Sequence, residues 1–340
     1  MMETNRQPGS AGATTGCCQP RRPSGAQATT NQESTTEQSG NGQSTTAVGE
    51  VKHYLDQALV PSGSFMMGDH FAQGYSADGE TPVHPVEITA FEMDTVATTN
   101  EQFAAFVAQT GYVTEAERFG SSAVFHLELG GEESWPGGSW RLGETPWWVV
   151  VPDASWQHPL GNGSAALADH PVVHVSWNDA LAYCVWAGRA LPTEAQWEYA
   201  ARGGLEAARY PWGDELEPEG KHMCNIFQGV FPEENTAADG YASTAPVRSY
   251  EPNGYGLWQM AGNVWEWCAD WFLPRYYKRS ALEDPTGPPF GEGRVIRGGS
   301  FLCHDSYCHR YRVAARSMNS PDSSSSHCGF RTVAIDPGRS

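Results

Sequence analysis

Near its C-terminus the chain reads Arg297-Gly-Gly-Ser-Phe-Leu-Cys303-His-Asp-Ser-Tyr-Cys308-His-Arg-Tyr-Arg-Val-Ala-Ala-Arg-Ser317. Two cysteines stand five positions apart among arginines, histidines and tyrosines. In a strand, positions i and i+5 face opposite sides, and in a helix they lie about 140° apart, so the sulfurs meet only across a loop or turn. Once together they offer a disulfide or a shared soft metal, since both require Cα atoms within roughly 7 Å. Two thiolates do not complete the four-ligand shell of structural zinc, which would need His304 and His309 as well. Cu(I), which selects soft sulfur, is suited by the pair alone. Arg310, Arg312 and Arg316 are expected to surround the thiols with positive charge, which favours the thiolate.

Outward from this stretch, the 340-residue chain has an uneven character. Residues 1–47 are dominated by Gln, Ser, Thr, Gly, Asn and Ala. Such a composition buries too little apolar surface to offset its ordering entropy, so it reads as a disordered tail. Residues 48–340 read as one domain rich in Gly, Pro and Trp (37, 23 and 13 residues), with little period-2 or period-3.6 patterning. That combination predicts an α+β fold, loop-rich, with little regular secondary structure. Helices are expected after Thr99, Ser176 and Thr193, where capping signals precede apolar residues and Gly111, Gly188 and Gly203 supply stops. Short strands are expected at 63–67, 83–89 and 295–297.

The net charge of −19 argues against nucleic acid as a partner, because phosphate binding needs a basic footprint. No apolar run is long enough for a membrane span. The amino-terminal stretch lacks the apolar core of a secretory signal, so a cytoplasmic location is expected. Cys184, Cys224, Cys268 and Cys328 read as buried thiols rather than a disulfide framework.

Taken in order, Pro61-Ser-Gly-Ser-Phe-Met-Met-Gly68, His170-Pro-Val-Val-His-Val-Ser-Trp-Asn-Asp179, Leu191-Pro-Thr-Glu-Ala-Gln-Trp-Glu-Tyr199, Gly262-Asn-Val-Trp-Glu-Trp267 and Arg297-Gly-Gly-Ser300 resemble the sulfatase-modifying-factor domain. The cysteine segment and Arg316-Ser-Met-Asn-Ser-Pro-Asp-Ser-Ser324 resemble its formylglycine-generating enzymes in particular. The resemblance implies a C-type-lectin-like fold. It also implies a copper-dependent oxidase that uses O2 to convert the cysteine of a Cys-x-Pro-x-Arg motif in a sulfatase polypeptide to Cα-formylglycine. Cys303 and Cys308 would hold Cu(I), with Ser300, Tyr307 and Trp265 beside them. Structural Ca2+ would be held by Asn225, Ile226, Asp239 and Tyr241, and a second ion by Gln259, Gly262, Val264 and Glu266. At the second position Gln259 replaces the family's usual Asn. A monomer is expected, and the alternative reading is a non-catalytic lectin-like binding module. The tail itself carries Cys18-Gln-Pro20-Arg-Arg22, which matches the same motif and predicts a tethered substrate or competitive pseudo-substrate.

Overall fold

The computed structural model describes Pro20 and residues 53–335; the expected disordered tail and the boundary at 47/48 otherwise lie outside the described residues. The sheet that positions the cysteines is built on Trp265–Trp271, buried along most of its length. It pairs antiparallel with Arg294–Arg297 and parallel with Cys328–Gly329, while Arg294–Arg297 pairs antiparallel with Arg316–Asn319. Residues 298–315 are therefore the connection of an antiparallel pair, which is why two cysteines at i and i+5 can face each other.

The register sets Arg297 directly opposite Arg316. Like charges opposite one another are unfavourable, and the conflict is resolved from outside the sheet. Four α-helices occur among the described residues, α1 Asn100–Thr110, α2 Glu115–Phe119, α3 Trp177–Ala187 and α4 Glu194–Arg202, and α4 packs on this sheet. Glu194, the first residue of α4, bonds Arg316 at 2.6 and 2.7 Å and Arg297 at 3.0 Å. One turn later Glu198 takes Arg297 at 2.5 Å and Arg202 at 2.7 Å. Burial raises the Glu198 pKa, but Arg202, Arg297 and the Gly68 N–H outweigh it and hold the carboxyl down at about 2.

Local sequence explains the helix ends. Ser176 with Asp179 and Thr193 with Gln196 form reciprocal capping boxes, and Gly111, Gly188 and Gly203 close their helices in left-handed backbone. At α1 the expected reciprocal box is half formed. Thr99 accepts from the Gln102 N–H, but the Gln102 side chain turns to the Tyr54 N–H at 3.4 Å. The strands at 63–67, 83–89 and 295–297 appear as Gly63–Met67, His84–Ile88 and Arg294–Arg297. Two further small sheets frame the molecule, one ordered Gln57–Val60, Phe91–Asp94, Val333–Ala334, Arg189–Ala190, the other built on Thr145–Pro152 between Ser121–Phe125 and Trp140–Leu142. Aromatic side chains fill the space between, with Trp148, Trp197, Trp265 and Trp267 fully buried. Among the described residues no helix is long and apolar enough to cross a membrane.

Candidate active site

The connection 298–315 folds through successive turns. The Cys303 N–H donates to the Ser300 carbonyl at 2.9 Å, and the N–H groups of Tyr307 and Cys308 both donate to the His304 carbonyl, at 3.0 and 2.7 Å. These turns bring the two sulfurs to 3.5 Å, each residue 1% exposed. At that separation the two sulfurs are not bonded to each other, and Cys184, Cys224, Cys268 and Cys328 are free buried thiols. Burial pushes the thiols of Cys184, Cys224, Cys268 and Cys328 upward, as expected of inert core cysteines.

A closed crevice, too tight for a water-sized sphere, lies over the pair between Trp147, Phe231, Trp265, Ser300, Leu302 and His327. Tyr307 stacks on Phe231 at 4.8 Å between ring centroids and meets Trp147 edge-on at 5.2 Å. The Ser300 hydroxyl accepts the Leu302 N–H at 3.3 Å. Trp265 is fully buried, and its indole N–H has no partner among the described residues. His327 joins Ser325 through Nδ1 at 2.8 Å, while its buried Nε2 is likewise unpartnered. Burial holds the His327 pKa down to about 3, so the imidazole is neutral. Sequence reasoning placed Ser300, Tyr307 and Trp265 here but missed Trp147, Phe231 and His327. The only signal for the last was its position just beyond the matched Arg316–Ser324 segment.

The expected cationic surroundings take a different form. Arg310 pairs with Asp78 at 2.6 Å, Arg312 with both oxygens of Glu80 at 2.8 and 2.9 Å, and Arg316 with Glu194. Each buried guanidinium is thus compensated by a carboxylate and anchors the loop, rather than adding a free positive charge at the sulfurs. The 73–80 segment works as a strap along the cysteine loop. Besides those two ion pairs, the Tyr75 hydroxyl donates to the Tyr307 carbonyl at 3.2 Å and the Gln73 carbonyl accepts from His309 Nε2 at 2.8 Å. His304 turns to Ser306 at 2.8 Å. Neither histidine joins the cysteines, and no group of three or more His, Cys, Asp or Glu suited to a metal occurs among the described residues. A zinc tetrad is therefore not formed, whereas two soft sulfurs in an enclosed cleft fit Cu(I).

The first calcium set comes together. Asp239 accepts the Ile226 N–H at 2.9 Å and the Tyr241 N–H at 3.2 Å. Burial raises its carboxyl pKa against those bonds. Beside it, the Oδ1 of fully buried Asn225 has no partner, an acceptor that suits a hard cation. At the second set, Glu266 is clamped by Arg331 at 2.7 Å through each oxygen and by the Trp197 indole N–H at 2.8 Å. Gln259 bonds Asn263 and the Pro246 carbonyl, and Gly262 and Val264 complete the same turn. The carboxylate charge there is already balanced by an arginine. A separate cavity of about 650 Å3 is lined in part by Ser326, whose Oγ meets Glu128 at 2.6 Å, and its described lining contains no cysteine.

Residues 43–335 match the family described as sulfatase-modifying factor enzyme 1-like domain. A formylglycine-generating enzyme of Streptomyces coelicolor is 61% identical over 277 residues, covering 81% of this chain and 88% of the relative. A mouse relative, 41% identical over 296 residues and covering 84% of this chain and 88% of its own, is named an inactive Cα-formylglycine-generating enzyme 2. Among solved structures, PvdO from Pseudomonas aeruginosa superposes with a TM-score of 0.61 at 22% identity, covering 82% of this chain and 94% of that one. That likeness concerns the fold alone, which is the loop-rich, C-type-lectin-like α+β arrangement described above.

Proposed function

This chain belongs to the sulfatase-modifying factor enzyme 1-like family, and we propose that it converts a cysteine of a sulfatase polypeptide to Cα-formylglycine at the Cys303–Cys308 cleft. The observation that carries the reading is the pair of buried sulfurs at 3.5 Å, facing a narrow aromatic-walled crevice. The family includes a member named inactive, so membership alone does not supply the activity.

In this reading Cys303 and Cys308, deprotonated, would hold Cu(I), which would supply affinity for a substrate thiol and one-electron chemistry toward O2. The protein does the rest. Trp147, Phe231 and Trp265 exclude water from the reacting carbon. The buried Trp265 N–H and the neutral His327 Nε2, neither bonded to another described residue, offer a substrate one donor and one acceptor. Ser300 and the stacked Tyr307 shape the cleft beside the sulfurs, and the strap from 73 to 80 holds the loop that carries them. The substrate is a flexible Cys-x-Pro-x-Arg segment, whose thiol enters so narrow a cleft only from an unfolded or extended chain. Ca2+ at Asn225, Ile226, Asp239 and Tyr241 would stiffen the neighbouring loop, with Asn225 Oδ1 as the waiting ligand.

The decisive experiment supplies a Cys-x-Pro-x-Arg peptide with Cu(I), a thiol reductant and air and follows the aldehyde by mass. No aldehyde under copper-replete conditions defeats the oxidase reading and favours the binding module. Cys303→Ala separates the two further: the enzyme loses copper binding and turnover together, whereas a binding module keeps its ligand.

A further inference from the structure

The cavity of about 650 Å3 that holds no cysteine has the size of a small-molecule site and a lining of one electrical sign. Three carboxylates face it, Glu128, Glu233 and Glu234, and its described lining contains neither lysine nor arginine. His170, also in the wall, bonds Thr244 through Nδ1 at 2.9 Å. Burial lowers its pKa, so at neutral pH it brings no positive charge.

Glu128 breaks a pattern kept elsewhere in the molecule. The buried glutamates Glu80, Glu194, Glu198 and Glu266 are each held by an arginine. No cationic side chain among the described residues pairs with Glu128. Its Oε2 accepts the Ser326 hydroxyl at 2.6 Å and the Phe125 N–H at 3.3 Å, and its Oε1 accepts neither. Burial pushes the carboxyl up to about 7, as expected of an acid desolvated without a countercharge. A second acceptor stands in the same wall. Asn100 is 7% exposed and gives its Nδ2 to the Leu167 carbonyl at 2.8 Å, which leaves its Oδ1 without a partner among the described residues. An acceptor left unmade in the interior is costly, and a ligand that donates to it recovers the loss.

The chemistry of the missing donor is constrained from two sides. Among the described residues no group of three or more His, Cys, Asp or Glu is suited to a metal, so the carboxylates do not close on a single ion. They are spread around a cavity whose other walls include Leu127, Leu160, Leu167 and Val173. A head rich in N–H donors on an alkyl stem satisfies both kinds of wall, with donors toward the oxygens and methylenes toward the apolar side chains.

We propose that this cavity binds an organic cation, an alkyl-ammonium or guanidinium group on an apolar stem, with Glu128 and Asn100 as its buried acceptors and the exposed Glu233 and Glu234 at the rim. The site does not depend on the oxidase reading. A free diamine and a lysine side chain of a polypeptide both carry this chemistry.

The test is calorimetric titration of the full chain with 1,5-diaminopentane, with the uncharged 1,5-pentanediol and with N-acetyl-lysine methylamide. The diamine is expected to bind saturably and the diol at least about tenfold more weakly, because only the former makes charge-assisted bonds. Glu128→Gln keeps the side chain's shape and removes its charge, and it should weaken the diamine at least about tenfold. Glu234→Lys reverses a charge on an exposed residue without disturbing the interior, and a loss of about threefold is expected. Thermal melting reports whether each variant is folded, and if Glu128→Gln is not, Glu234→Lys decides alone. A lysine derivative that binds more tightly than the diamine sustains the site and assigns it to a polypeptide side chain; the reverse order sustains it for a free small cation. Equal binding of diamine and diol, unchanged diamine affinity in a folded variant, or no saturable binding of any probe overturns the proposal.

Discussion

Replacing Arg312 by methionine removes one half of a buried pair and leaves the other stranded. Arg312 and Glu80 are 3% and 2% exposed at the side chain and meet through two bonds of 2.8 and 2.9 Å. Asp69 stands 3.8 Å from the same guanidinium, but its oxygens already accept the N–H groups of Phe71, Gln73 and Gly74, so Glu80 bears the loss. Breaking a buried pair from one side costs about 3–5 kcal/mol, because a desolvated charge remains. For a domain of this size that corresponds to a fall in Tm of roughly 6–15 °C. The sign with pH follows from Glu80, whose pKa burial raises despite Arg312. Without Arg312 it rises further. A carboxyl with a raised folded pKa is tolerated below its unfolded value near 4.5 and costs stability as pH climbs through the folded value, so the Arg312→Met defect deepens from mildly acid to alkaline buffer. Adding Glu80→Leu removes the stranded charge and brings stability back to within about 1 kcal/mol of the parent. Urea unfolding followed by tryptophan fluorescence on the parent, both single variants and the double gives the full cycle. A double variant no more stable than the worse single, or a single cost below about 1 kcal/mol, refutes the role given to this pair.

Cys303→Ser keeps the approximate size of the side chain but replaces soft sulfur by oxygen; loss of stoichiometric Cu(I) binding and of aldehyde formation is expected, with urea stability lower by about 1–3 kcal/mol for the buried hydroxyl, as titration and unfolding will check. Trp265→Phe deletes the unpartnered indole N–H and opens a void of one ring; a fall in kcat on the order of tenfold or more is expected, with stability lower by about 1–3 kcal/mol. His174, fully buried against Ser122 at 2.8 Å, is held by burial at a pKa of about 3. Its neutral form stabilises the fold above the unfolded value near 6.5, and that contribution drains away as pH falls toward 3, about 2 kcal/mol being gone by pH 5. His174→Gln should flatten that part of the stability–pH curve. Chelation by EGTA is expected to lower Tm in the parent and to leave Asn225→Ala unmoved, since that variant lacks the waiting oxygen.

Local chemistry was legible in the chain and distant pairing was not. Ser176 with Asp179 and Thr193 with Gln196 announce helix starts because both partners lie within one turn. Gln102 shows the limit of that reasoning, since a neighbour 48 positions earlier claims its side chain. The spacing of Cys303 and Cys308 required a turn, and turns are what the 300–310 backbone makes. The Thr145–Pro152 strand escaped notice because an unbroken apolar run has no period to distinguish strand from buried helix. The arginines misled for a related reason. Their countercharges, Asp78 and Glu80, lie 232 positions away, and nothing in the local sequence marks a carboxylate as the partner of a distant guanidinium. His327 enters the site through the same kind of long-range closure, by the parallel pairing of Cys328 with Trp265.

The shared carboxylate at the base of the cysteine loop has a mechanical consequence. Arg297 and Arg316 bracket the loop and both grip Glu194, so its two feet are riveted to one point on α4. Deformation on engaging a polypeptide is then confined to the outer tip, where Asp305 and Ser306 are exposed. The feet and the sulfurs form a stiff anvil, and adaptation to different clients falls to the few residues that overhang it.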